Sequence, residues 1–247
     1  GLTEGVITPS TQINDTGAFE RLDYFLRCWI YPSAHGLETV TTAIRDSCNT
    51  FFCEVAYRLS LIGDTFNEQT GLSQIQKYAE MFGLGDKTGL EIAEMQSKIA
   101  DEYPVSASIG QSNNNYTTVA LARYVAAVAN EGTVYDLTLL DKVTDSEGNT
   151  LESYEPEVKN TISEVSSNTW SLIKQGMRMV VEDHEQFNDL QVSLSGKTGT
   201  AQEDEERPNH ALFIGFAPSD QPQIAIATRI AYGYGSGNAC DFADTVM

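Results

Sequence analysis

The sequence predicts an α+β domain in which a small antiparallel sheet follows a mostly helical stretch. Two observations carry this. As far as about position 181 the apolar residues recur mainly at helical spacing. Beyond it, three segments alternate with a period of two and are separated by turn residues, which makes an antiparallel meander. Three strands are few for so much helix, so a larger sheet, completed by strands upstream of Gly1, is expected.

Residues 38–45 and 50–61 carry apolar side chains at helical spacing on either side of the interruption Asp46-Ser47-Cys48-Asn49. A further helix over 73–82 is closed by Gly83 and Gly85. The helix over 117–129 has Thr117 as its cap and Val119, Leu121, Ala122, Tyr124, Val125 and Val128 as its buried stripe. Segments 137–143 and 150–154 flank Asp145-Ser146-Glu147-Gly148-Asn149 and read as a hairpin. Another helix covers 168–181, with Trp170, Ile173, Met177 and Val180 on one side. In the last third, 190–195 leads into Gly196-Lys197-Thr198-Gly199-Thr200. Segment 210–216 is the second strand and 223–231 the third, with Ile224, Ile226 and Ile230 inward. An amphipathic helix starts near Asp241, after the glycines at 233, 235 and 237.

With 35 acidic against 15 basic residues, the 247-residue chain has a net charge of -20. Such a chain has no field to attract phosphate backbones, so nucleic acid is not an expected partner. The longest apolar run, 211–217, is far short of the ~20 residues that span a bilayer. Neither end reads as a natural terminus, so a single domain over residues 1–247, truncated at both ends, is expected. The four cysteines form no Cys-x-x-Cys pair, and the three histidines form no His-Glu-x-x-His motif or Cys/His cluster. Buried free thiols are therefore expected, with no metal site and no cofactor.

Three motif matches fail. Gly196-Lys197-Thr198 resembles the end of a phosphate-binding loop, but Gln191 stands where that pattern needs glycine, and the acidic run Glu203-Asp204-Glu205-Glu206 follows. Asp15-Thr16-Gly17 has no second copy to share a proton with, as an aspartic protease needs. The histidines suggest no catalytic triad.

What remains is a serine/lysine arrangement. Ser-x-Asn occurs four times and Lys-Thr-Gly twice, at Lys87 and Lys197. Context separates the copies. Lys87 lies in a Gly-rich loop where a solvated turn lysine is expected, whereas Lys197 ends a strand, with Gly196 and Gly199 beside it allowing a ligand backbone to approach. Ser47-Cys48-Asn49 lies in a break between two helices, where side chains can be aimed into a cleft.

Several stretches, in order, carry a resemblance: Glu4–Pro9; Cys28-Trp29 with His35-Gly36; Ala43–Phe52; Phe82-Gly83-Leu84-Gly85 with Thr88-Gly89; Ile109-Gly110-Gln111; Ser195–Gln202; and Phe213–Pro218. Over essentially its whole length the chain resembles the later part of a penicillin-binding protein transpeptidase domain, of the monofunctional class B type. The resemblance implies a β-lactamase/transpeptidase-like fold, an antiparallel sheet flanked by helices, with the N-terminal strands and the nucleophile helix lying upstream. It also implies a three-part site of Ser-x-x-Lys, Ser-x-Asn and Lys-Thr-Gly. Ser47 and Asn49 match the second part, and Lys197, Thr198 and Gly199 the third.

The first part has no match. Only Lys174 has a serine three positions before it, Ser171, and that pair falls between the other two motifs. The nucleophile is therefore expected upstream of Gly1. In such a site an acyl-serine forms from a D-Ala-D-Ala stem peptide or a β-lactam. Ser47 would relay a proton to the leaving nitrogen, and Asn49 would hold the acyl-side amide. Lys197 with the hydroxyls of Thr198 and Thr200 would bind the terminal carboxylate, and the Thr200 N–H would supply half the oxyanion hole. The implied setting is the extracytoplasmic face of a bacterial plasma membrane, with the parent anchored by a segment outside this chain. Its implied partners are stem peptides, β-lactams and other cell-wall synthesis proteins. Two alternatives stay open: a β-lactamase or β-lactam sensor with the same motifs, and a non-catalytic cell-wall scaffold.

Overall fold

The chain begins with β1 (Ile13–Asp15), continues through a hairpin of β2 (Ala18–Arg21) and β3 (Tyr24–Arg27), and returns in β4 (Gly36–Glu38) to pair antiparallel with β1. This is a computed structural model, and it describes residues 1–203 and 206–247; Asp204 and Glu205 of the acidic run lie outside the described residues. Strands of three or four residues are too short to show alternation, which is why periodicity misses them. Glu38 belongs to β4, so the helix expected from 38 starts later, as α1 (Val40–Arg45). Thr39 sets that start: its Oγ1 accepts from the Thr42 N–H while Thr42 Oγ1 accepts from the Thr39 N–H.

After the Asp46–Cys48 turn comes α2 (Asn49–Leu59), followed by the short pair β5 (Leu61–Ile62) and β6 (Thr65–Phe66). Helix α3 (Glu68–Met81) begins before position 73 because the Asn67 carboxamide caps it at Thr70 N. A single turn, α4 (Pro104–Ala107), precedes α5 (Thr118–Ala129), where Thr117 Oγ1 accepts from Ala120 N as expected of the cap. The buried face of α5 is rotated from the expected stripe. Arg123 is only 1% exposed, while Val119, Leu121, Ala122 and Tyr124 are half-buried. The guanidinium is the reason: it donates to the carbonyls of Gly83, Asp86 and Lys87, closing the turn after α3.

Next come β7 (Thr133–Asp136), β8 (Lys142–Thr144), β9 (Thr150–Ser153) and β10 (Glu157–Thr161), with β8 paired to β9 and β10 folded back onto β7. The expected hairpin exists, but its first strand starts at Lys142. Residues before it are drawn to another loop, with Leu137 N donating to Thr88 O and Leu139 N to Glu91. Helix α6 (Ser167–Glu182) is capped by Ser166 and buries Trp170, Met177 and Val180.

The meander is present as β11 (Ser195–Ala201), β12 (His210–Ala217) and β13 (Ile224–Ile230), and α7 (Gly237–Val246) ends the chain. Both faces of this sheet are covered. Ile214, Phe216 and Ala225 join the main core with Ala43, Ile44, Phe51, Val125 and Met177 from α1, α2, α5 and α6. Ala211, Phe213 and Ile226 join Ala239, Cys240 and Ala243 of α7 on the other face. Ile226 and Ile230 pack inward as expected, whereas Ile224, at the start of β13, is 60% exposed. Gly196 has a packing role rather than the ligand-approach role expected of it: a Cβ there would lie 2.2 Å from the Phe213 ring. All four cysteines are buried free thiols.

Candidate active site

Helix α1 ends in a turn whose left-handed residue is Ser47, with φ of 52°. Ser47 N donates to Ile44 O at 3.3 Å and Cys48 N to Ala43 O at 3.0 Å, the paired bonds that close a helix through a left-handed residue. Glycine usually occupies that position, because a side chain there costs about 1 kcal/mol. Here the turn holds a hydroxyl at the head of α2 instead.

Across the molecule, Lys197 lies on edge strand β11 opposite Ile214, on the sheet face that packs against the main core. Its ammonium donates to Ser47 Oγ at 2.9 Å and to Thr198 O at 3.1 Å. Burial pushes the Lys197 ammonium down to about 8. The structure thus brings two of the sequence-predicted residues into contact.

The others are disposed around this pair. Asn49 Nδ2 donates to Arg27 O at 3.1 Å, which uses one of its two amide protons and leaves the rest of the carboxamide. Thr198 and Thr200 lie opposite Phe213 and Ala211, so strand alternation puts their side chains on the other face from Lys197. The second Lys-Thr-Gly is a turn: Lys87 is exposed and its carbonyl accepts from Arg123, while Thr88 Oγ1 donates to Glu94. Ser171 is exposed and Lys174 is paired with Glu131, an ordinary helical surface.

Sequence reasoning missed what supports the Ser47 turn. Cys28 Sγ accepts from Asn49 N at 3.3 Å, and Trp29 Nε1 donates to Asp46 O at 2.7 Å. Both residues belong to stretches that carry the family resemblance, which was the available signal. Asp15 is the other hidden node. Burial works to raise its carboxyl, but Thr50 Oγ1, the Gly17 and His35 N–H groups and the His35 ring hold it down to about 2.

The expectation that cysteine and histidine make no cluster is corrected. Asp15, Cys28, His35 and Cys48 each bring one ligand atom, all within 4.8 Å of one another. Spacings of this kind match no local motif, and only the fold assembles them. Hydrogen bonds from Cys48 and from the Asn49 N–H pull the Cys28 thiol below its ordinary range, and among the described residues His35 Nε2 is buried without a partner. One oxygen, one nitrogen and two sulfurs in a buried setting are the donors of a four-coordinate zinc site, so these residues could hold such an ion.

An antiparallel meander flanked by helices, whose edge strand sends a half-buried lysine to a serine at a helix junction, brings together the Ser-x-Asn and Lys-Thr-Gly motifs of the penicillin-binding class. Comparison with known proteins agrees. The family model for the penicillin binding protein transpeptidase domain matches residues 1–246, and the chain belongs to that family. It is 28% identical to the peptidoglycan D,D-transpeptidase MrdA of Haemophilus influenzae over 99% of this chain and 41% of that protein. It is 27% identical to penicillin-binding protein 2B of Streptococcus pneumoniae over 98% of this chain and 40% of that one. The chain therefore spans about two fifths of the length of these relatives. Among solved structures, Pseudomonas aeruginosa PBP2 in complex with WCK 5153 superposes with a TM-score of 0.81 at 26% identity, covering 100% of this chain and 55% of that one. Penicillin-binding protein A of M. tuberculosis, as a ceftriaxone acyl-enzyme, has a TM-score of 0.82 at 22% identity over 99% and 56%, which attests the fold.

Proposed function

We propose that this chain supplies the Ser-x-Asn and Lys-Thr-Gly parts of a peptidoglycan D,D-transpeptidase, which cross-links stem peptides through an acyl-serine and is acylated by β-lactams. The observation that carries the reading is the 2.9 Å contact from Lys197 Nζ to Ser47 Oγ, which joins the two motifs. Ser47, held by that lysine, would pass a proton to the leaving nitrogen. On this reading Thr198 O, which accepts from Lys197, faces the free edge of β11. Strand geometry then sends the Thr200 N–H to the same edge, where it would donate to an oxyanion while the edge pairs with substrate backbone. A carboxylate at this edge would meet Lys197 from one face and the Thr198 and Thr200 hydroxyls from the other. The free part of the Asn49 carboxamide would hold the acyl-side amide.

The nucleophile and its lysine belong, on this reading, to a Ser-x-x-Lys segment outside these 247 residues, in a parent held at the extracytoplasmic face of the plasma membrane. Among the described residues no helix is long and apolar enough to cross a membrane. PBP2 of Helicobacter pylori has been solved as a complex with MreC, and a protein of the cell-wall machinery is the corresponding partner proposed here. The test is acylation by fluorescent penicillin in a protein that includes the upstream segment. Lys197→Ala should lower the rate at least ~10-fold, as expected for loss of a charge-assisted hydrogen bond, and Lys87→Ala should leave it unchanged. Equal losses at both positions, or none at Lys197, would refute the assignment.

A further inference from the structure

We propose that Trp29 is a positioning residue for Ser47, acting through the peptide plane that enters it; this rests on the reading of Ser47 as part of the transpeptidase site. Rotation of the Asp46–Ser47 peptide changes ψ of Asp46 and φ of Ser47 together, so the Asp46 carbonyl is the handle on the left-handed conformation of Ser47. That carbonyl is the acceptor of the Trp29 indole N–H, at 2.7 Å. Turning the peptide to give Ser47 an ordinary negative φ would swing the carbonyl away from Trp29 and undo the Ser47 N–H bond to Ile44 O, the left-handed closure that presents Ser47 Oγ to Lys197.

Burial does not account for the placement of Trp29. The residue is 67% exposed, an unusual position for the largest apolar side chain, and its indole rests against the His35 ring with centroids 5.7 Å apart. What holds the indole in one orientation is its hydrogen bond. Its chain neighbours hold the other flank of Ser47: Arg27 O accepts from Asn49 Nδ2 and Cys28 Sγ from Asn49 N. One three-residue segment thus grips the turn both before and after the serine, and Trp29 alone of the three grips it before.

The test uses the full-length protein that carries this domain. Trp29→Phe keeps an aromatic ring and removes the donor. The measurements are the penicillin acylation step, separated from noncovalent binding by its concentration dependence, together with amide hydrogen exchange of the 43–52 segment and the melting temperature. Expected are at least a ten-fold slower acylation step with binding within two-fold of wild type, faster exchange confined to the Ser47 and Cys48 amides, and a nearly unchanged melting temperature. Unchanged acylation would overturn the proposal. So would a loss that comes with a collapsed melting temperature and faster exchange throughout α2, since that is a merely structural role. Lys197→Ala runs alongside: if it too leaves acylation intact, the functional reading fails, whereas loss in Lys197→Ala with none in Trp29→Phe sinks only the role of Trp29.

Discussion

Lys197 and Ser47 stand 150 positions apart in the chain, and their side chains meet at 2.9 Å. One sits on the edge strand of a sheet, the other at the left-handed end of a short helix. The contact exists because α1 packs on α6 and α6 packs on β11, so the helix end and the strand edge are fixed by one continuous core.

Keeping a lysine there costs stability, and the cost depends on pH. The folded ammonium titrates near 8, below its ordinary value of 10.5. Between those values the unfolded chain binds the proton and the folded one does not, so wild-type stability should rise as pH increases from about 8 to 10.5. Below pH 8 the full penalty applies. Lys197→Met should therefore be more stable than wild type at pH 7, by about 1 kcal/mol after allowing for solvent screening of a partly exposed group. That advantage should shrink towards pH 10.5. Denaturant melts at several pH values would test this, and a less stable Lys197→Met at pH 7 would contradict it.

Arg123 should behave in the opposite way. It is buried and serves three carbonyls in the turn after α3. Arg123→Met leaves those carbonyls unpaired, which predicts a loss of about 2–4 kcal/mol. For a domain of this size that is a drop in melting temperature of about 5–15 °C. A change of less than ~2 °C by calorimetry would show that the turn closes without the guanidinium.

Zinc tests the Asp15, Cys28, His35 and Cys48 cluster. Protein purified without chelator should retain close to one equivalent by elemental analysis, and stripping it should lower the melting temperature. Cys48→Ser should abolish both effects, while Cys240→Ser, outside the cluster, should not change the metal content. Absence of stoichiometric zinc together with no response of the melting temperature to added zinc would rule the site out.

Ser171 tests where the nucleophile lies. Lys174 is tied to Glu131 and Ser171 faces solvent, so neither is activated. The 247-residue chain incubated with penicillin should acquire no stable adduct by intact mass. An adduct mapped to Ser171 would overturn the motif order.

The sequence by itself determined those parts that are coded locally. Thr117 capping α5, the alternation of β12 and β13 about the Pro218–Pro222 turn, and the break between α1 and α2 all depend on residues a few positions apart, where propensity and period act directly. The Ser-x-Asn and Lys-Thr-Gly motifs were legible for the same reason. Tertiary structure alone decided the rest. Strand β4 claims Glu38 by pairing with β1, an event no local pattern records. Arg123 takes a core position because three distant carbonyls need donors, overriding its preference for solvent. Asp15, Cys28, His35 and Cys48 are scattered residues until β1, the β3–β4 loop and the end of α1 converge. The grip of Trp29 on Asp46 is of the same kind. Such contacts depend on how whole elements dock, and docking is set by the summed burial of the core rather than by the identity of neighbours in the chain.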